Sequence, residues 1–359
     1  MNLESRTINP NKKIVMARRL PVPGEVLVQR GQQVAPLQVI ARTELPRRHI
    51  VLNIEAKLGV SDIEVNQFLQ KEVGDFVAAN EIIAARKSRM PFGGTVVKSP
   101  VAGQIVALQQ GLILIETQPA AVELHAFIHG LVKKIIPGYG AVIETGGALI
   151  AAACGFGGET YGPLHRLVDN PGSAIAADDI HEGHQNLIVL AGRTINLPIL
   201  RRAHQAGVRG LIAGSFDASL RRVRTNVVVT ATEGFGDIPV SPYTFGVLAT
   251  LTGKDISIRG SLPALTTGPY PEDPPLIVTS TAKNSRLERY GDDLPENADL
   301  EIGSRVRIIR GRMMGAAGVV DTIPAHAQQI DTGQVIPGVL IKIDNTRHYV
   351  PRANLELIT

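Results

Sequence analysis

Toward the end of the chain seven basic residues gather within a short span: Arg305, Arg307, Arg310, Arg312, Lys342, Arg347 and Arg352. Guanidinium and ammonium groups at this density suit phosphate oxygens. His348 and Tyr349 are the nearby side chains able to stack on a base, the arginine planes aside. A second set lies in the segment Thr232 to Pro239, where Glu233 and Asp237 offer carboxylates and Gly234 and Gly236 allow a sharp turn. Such a loop, after a strand and before a helix, is where ligands dock in open α/β sheets. The residues more simply suit a tight strand-to-helix turn that needs two glycines and a capping acid. A third set, Asp178, Asp179, His181, Glu182 and His184, has metal-ligating residue types. It sits in a polar connection where such residues are expected anyway, so His181 and His184 are weak candidates and no metal or cofactor is expected. Six arginines at 201, 202, 209, 221, 222 and 224 make the middle of the chain locally basic, fit for phosphates or for the wet faces of short helices. Cys154 reads as a small buried thiol. No G-x-G-x-x-G, phosphate loop or serine-centred elbow is present, so no catalytic residue is assigned.

The elements that must carry these residues are mostly strands. Residues Asn186 to Gly192 form an apolar run bounded by glycine, followed by a helix start at Asn196-Leu-Pro198. Ile199, Leu200, Ala203 and Ala206 make that helix's buried stripe. Further strands fall at Gly210 to Gly214 and Asn226 to Ala231, and Ser241-Pro242 opens a second helix with Phe245, Leu248 and Leu251 inward. Alternation at this spacing predicts a small α/β unit with partly parallel pairing. Upstream, Gly31-Gln-Gln-Val34 through Ile40-Ala41 recurs as Gly74-Asp-Phe-Val77 through Ile83-Ala84, an internal echo of Gly-turn and short strand. Downstream, Val306 and Ile308 alternate with Arg305 and Arg307, and Gly315 and Gly318 suit positive-φ bends of a small, tightly coiled barrel.

Composition agrees. The 359 residues are 44% hydrophobic yet only 4% aromatic, with no Trp, and are punctuated by 36 Gly and 23 Pro. That is the make-up of many short strands joined by tight turns. A net charge of +4 is no nucleic-acid footprint over such a length, so any basic patch must be local. One cysteine excludes an internal disulfide framework and suits a reducing cytoplasm. The most apolar stretch, Gly140 to Gly158, is broken by Glu144 and by glycines, so membrane insertion is not expected.

Two resemblances follow. The segment V-G-D-x-V-x-x-x-x-I-I-A with the later S-P-V-A-G-Q-I-V is similar to the barrel-sandwich hybrid of biotinyl and lipoyl domains and of Rnf-type subunits. The modified-lysine motif of those carriers is missing: Glu55-Ala56-Lys57-Leu58 and Ala85-Arg86-Lys87-Ser88 both depart from it. Near the C-terminus, G-x-x-V-x-I-x-x-G-x-x-x-G-x-x-G-x-V, with the later Val350-Pro-Arg-Ala-Asn-Leu-Glu-Leu357, resembles a KOW module, the SH3-like barrel of NusG-type factors and several ribosomal proteins. An insert from Pro324 to Pro337 lengthens the usual loop. The resemblance implies binding to RNA or to a transcription or translation complex, with Arg305, Arg307, Arg310, Arg312, Lys342, Arg347, Tyr349 and Arg352 as its face.

The expected architecture is therefore mixed and β-rich: an N-terminal tail at 1–19, a barrel-sandwich-like domain at 20–165, and a small α/β domain at 166–265. A Pro-rich polar connection at 266–297 then leads to an SH3-type barrel at 298–359. The expected function is a non-enzymatic cytoplasmic interaction protein acting through that barrel. The alternatives are an enzyme-complex adaptor with a ligand site at 232–239, or a self-assembling structural protein pairing through open strand edges.

Overall fold

A computed structural model of the chain describes residues 8–86, 94–260, 275–280, 300–309, 311, 313–330 and 333–358. Of these described residues 48% are strand and 14% helix, so the fold is the mixed, β-rich, multi-sheet kind that the composition implies. The chain forms two compact units. The first comprises Met1–Pro21, Val26–Ala41 and Leu124–Thr359, and the second comprises Val22–Glu25 and Arg42–Glu123. The span expected as one barrel-sandwich domain is thus shared between them.

The first unit is built on an eleven-stranded sheet. Its members are β1 (Ile8–Arg19), β2 (Gln33–Val34), β3 (Gly130–Ile136), β4 (Gly140–Ala151), β5 (Cys154–Phe156), β6 (Glu159–Arg166), β7 (Ile188–Ile195), β8 (Gly210–Phe216), β9 (Val228–Phe235), β10 (Asp255–Arg259) and β11 (Leu276–Val278). The order is β5-β9-β8-β7-β6-β10-β11-β4-β3-β2, with β1 on β4. Strands β6 to β9 run parallel, as the α/β reading requires. The apolar stretch around Cys154 is strand, not helix, and among the described residues no helix is long and apolar enough to cross a membrane.

Helix α1 (Leu197–Gln205) joins β7 to β8 and starts where the Asn196 side chain accepts from the Ile199 N–H at 3.1 Å. Its inward Ile199, Leu200 and Ala203 are at most 2% exposed, the stripe read from the spacing. Helix α2 (Pro242–Thr250) is capped by Ser241 and buries Phe245 and Leu248. Proline at the first turn of each helix sits where no intrahelical N–H donor is needed.

The stretch expected as an N-terminal tail is, from residue 8 on, the long strand β1. Along it Ile14, Met16 and Arg18 face inward while Val15, Ala17 and Arg19 face out. Arginine at an inward position hides the alternation. Arg18 is 3% exposed and grips Glu159 with both nitrogens, at 2.8 and 2.6 Å, and Arg259 holds the same carboxylate at 2.7 Å. Both guanidinium carbons lie over the Phe127 ring, at 5.2 and 5.1 Å from its centroid. Burial pushes the Glu159 carboxyl up, but the two arginines outweigh it and hold the group below its ordinary value.

In the second unit a four-stranded sheet (His49–Asn53, Phe76–Val77, Gly103–Gln109, Leu112–Glu116) and the hairpin Ile82–Arg86 with Thr95–Lys98 enclose Leu52, Ile83, Val97, Ile105, Ile113 and Ile115. Lys87 lies outside the described residues.

The internal echo is structural. Val34 and Val77 are 5% and 4% exposed, and Ile40, Ala41, Ile83 and Ala84 are all 0%. Val34 pairs with Gly130 and Val77 with Gly103. The Gly31 N–H donates to the Val132 carbonyl as the Gly74 N–H does to that of Ile105. One copy lies in each unit. Gly130 and Gly103 occupy matching crowded places: an added Cβ would stand 2.5 Å from the Glu144 carbonyl oxygen and 2.4 Å from that of Glu116. Gly130→Ala and Gly103→Ala should therefore each cost about 1–3 kcal/mol in urea unfolding, while Gly172→Ala, which meets nothing within 4 Å, leaves the midpoint in place.

Candidate functional site

The C-terminal part of the first unit is a five-stranded antiparallel sheet: β12 (Arg305–Ile308), β13 (Ala317–Thr322), β14 (Gly338–Ile343), β15 (Thr346–Pro351) and β16 (Leu355–Leu357), in the order β15-β14-β13-β12-β16. Its inner face buries Val306, Ile308, Val320, Val339, Ile341, Val350 and Leu355. Of the two glycines read as bends, Gly315 has a positive φ of 89°, whereas Gly318 does not. Gly318 is needed instead for close approach, since a Cβ there would stand 2.6 Å from the Lys342 carbonyl oxygen.

The outer face carries a row of cross-strand neighbours. Arg305 pairs with Val319, Val319 with Lys342, and Lys342 with Arg347, so three of the expected basic residues fall in register across four strands. Directly opposed residues share a face. All four side chains are exposed, Val319 at 42%. Arg347 is partly neutralised by Asp321, Nε to Oδ2 at 2.9 Å.

Other expected members are elsewhere. Tyr349 is half-buried; its hydroxyl donates to the Ile336 carbonyl at 2.8 Å and accepts from the Gln328 N–H at 3.1 Å, pinning the insert rather than offering a free ring. Arg352 is half-buried in the turn after β15. Arg310 and Arg312 lie outside the described residues.

Arg307 departs most from the expectation. It is two positions from Arg305 and on the same face, yet it is 2% exposed. Its Nη1 donates to Glu233 Oε1 at 3.0 Å, Ser241 Oγ at 2.8 Å and Thr244 Oγ1 at 2.9 Å, and its Nη2 meets Glu356 Oε2 at 2.6 Å. The Glu233 and Glu356 side chains are 3% and 0% exposed. Glu233 also accepts from the Ser241 N–H at 3.1 Å, at the start of α2. Arg307 and Glu233, expected in two different binding sites, therefore bind one another and fasten the C-terminal sheet to the β9–α2 turn.

The rest of the 232–239 loop is also committed. Asp237 takes Arg193 in a two-pronged pair at 2.7 and 2.9 Å, and the arginine's hydrogen bonds hold its carboxyl below the ordinary value. Gly234 and Gly236 have φ of 142° and 106°, as a sharp turn demands. Both carboxylates of the loop thus face arginines of this same chain.

The His181 and His184 rings lie with centroids 4.1 Å apart and planes tilted by 46°, and the His165 ring centroid is 5.0 Å from that of His184. Among the described residues no group of three or more histidine, cysteine or acidic side chains is placed to hold a metal. The hydrogen bonding explains part of this. His181 Nδ1 accepts from the Gly183 N–H and His184 Nδ1 from the His181 N–H, which puts the proton of each neutral ring on Nε2. Nε2 of each ring is then a donor and offers no lone pair to a metal. Burial, then His181 and His165, push the His184 ring below its ordinary value.

No family model matches the chain, and no curated protein matches it.

Two outcomes are expected. Arg307→Ala strands two buried carboxylates and lowers stability by about 3–5 kcal/mol in denaturant titration, while Arg305→Ala changes it by no more than about 0.5 kcal/mol. His184, neutral in the fold, contributes stability fully present above its ordinary value of 6.5 and lost as pH falls from there through its depressed folded value. The thermal midpoint should drop as the pH is lowered below that point, and should drop less in His184→Gln.

Proposed function

We propose that the chain is a non-enzymatic interaction protein that presents the outer row of its C-terminal sheet to the phosphates of an RNA in a transcription or translation complex. The observation carrying this reading is the register of Arg305, Lys342 and Arg347 around the exposed Val319. With strands about 4.8 Å apart, the row spans roughly 14 Å, enough to follow several phosphates of one strand. The similarity of the glycine and valine spacing to KOW modules points the same way. Tyr349 is held by its own hydroxyl and the whole chain is 4% aromatic, so contact falls to charge and not to base stacking.

The test is binding of a labelled oligouridylate to the full chain across a salt series. The double variant Arg305→Glu/Lys342→Glu should reduce the slope of log K against log salt by about 1.4, roughly 0.7 for each lost single-strand contact. Binding without salt dependence, or untouched by the double reversal, would overturn the RNA reading and leave a protein partner as the occupant of this face.

A further inference from the structure

The chain's positive charge is not spread evenly. Residues 196–226 hold six arginines, no lysine, one aspartate and no glutamate, a net +5 against +4 for the whole chain, so everything else sums to −1. The fold sorts these six arginines into two groups. Arg202 donates to the Ile180 carbonyl at 2.8 Å, and Arg209 to the Tyr161 carbonyl at 2.8 Å and to Asn186, so both serve the chain itself. Arg201, Arg221, Arg222 and Arg224 are exposed, and among the described residues none of them forms an ion pair.

The two segments that carry these four lie side by side because of the topology. Strands β7, β8 and β9 follow one another in one direction, so right-handed crossovers put α1 and the 217–227 connection on the same face of the sheet. The two are joined where Thr225 Oγ1 meets His204 Nδ1 at 3.5 Å. Asp217, the one acid of the segment, is occupied in capping the turn that follows it, accepting from the Ser219 N–H at 2.9 Å. None of the large apolar side chains exposed on this protein lies within 196–226. A bilayer anchor or the centre of a protein interface would need such side chains; a phosphodiester backbone does not. Arginine without lysine suits the paired oxygens of phosphate.

We infer that Arg201, Arg221, Arg222 and Arg224 form a second RNA-backbone contact, on the α/β part of the first unit and separate from the C-terminal row. Naming the polyanion as RNA rests on the function proposed above; the surface itself does not.

The experiment compares the full-length protein, Arg221→Gln/Arg222→Gln/Arg224→Gln, the matching triple lysine variant, and Arg305→Gln/Lys342→Gln, each with labelled oligouridylate over a salt series. The glutamine triple should lower the slope of log K against log salt by about 2, roughly 0.7 per lost contact, and the lysine triple should keep it. Because the replaced side chains are exposed, circular dichroism melts should coincide with the parent's. An unchanged slope in the glutamine triple, with the C-terminal double variant impaired, overturns this inference and leaves the proposed function standing. The reverse pattern supports the second contact and removes the C-terminal row. Salt-dependent capture on phosphatidylserine vesicles, with no oligouridylate bound, overturns both.

Discussion

One guanidinium, closed off from water between two carboxylates, decides what the C-terminal sheet is free to do. Arg307 bridges Glu233 of the α/β part and Glu356 of the neighbouring strand, and takes the hydroxyls of Ser241 and Thr244 as well. Charges removed from water this completely are costly to desolvate and costlier to leave without a partner. The contact is therefore demanding about geometry: β12 must approach the start of α2 with its outer face. That docking consumes half of the basic pair on β12. Arg305, beyond the contact, stays in solvent beside Val319 and leads into the row that continues to Lys342 and Arg347.

A second buried cluster has the inverse composition. Arg18 and Arg259 share Glu159 above the Phe127 ring, tying β1, β6 and β10 together. Two cations on one anion in one place and two anions on one cation in the other leave local charges of opposite sign. Both clusters join strands far apart in the chain. They fix register where aliphatic side chains alone would accept several alignments, since Val, Ile and Leu of similar size alternate along most of these strands.

What could be read in the residues, and what could not, divides along the same line. Glycine spacing and aliphatic alternation report local geometry, so the Gly31 and Gly74 echo, the parallel run from Ile188 and both proline-started helices were all legible. Burial of charge is a property of partners distant in sequence. Nothing local distinguishes Arg307 from Arg305, since the difference is made by Glu233, 74 residues away. Arg18 concealed a strand because an inward arginine breaks the pattern by which strands are recognised. The loop at 232–239 has the residue types of a ligand site, and its acids are met by Arg307 and Arg193 from the same chain. The histidines show the finer limit, for there the tautomer, set by backbone donors, matters more than the spacing.

The duplicated Gly–Val pattern also bears on the order in which the chain folds. Val34 pairs with Gly130, 96 residues further on, while Val77 pairs with Gly103, only 26 residues on. During synthesis the strand around Gly103 emerges first, and it presents to residues 33–34 the same hydrogen-bonding edge as their true partner. Closure of the shorter loop costs less entropy and is faster. The inner copy therefore closes on itself and takes its own edge out of competition before the outer copy's partner has left the ribosome. Nesting one copy inside the other turns a hazard of mispairing into a sequence of events, with the late strand Gly130–Ile136 finding only one open place.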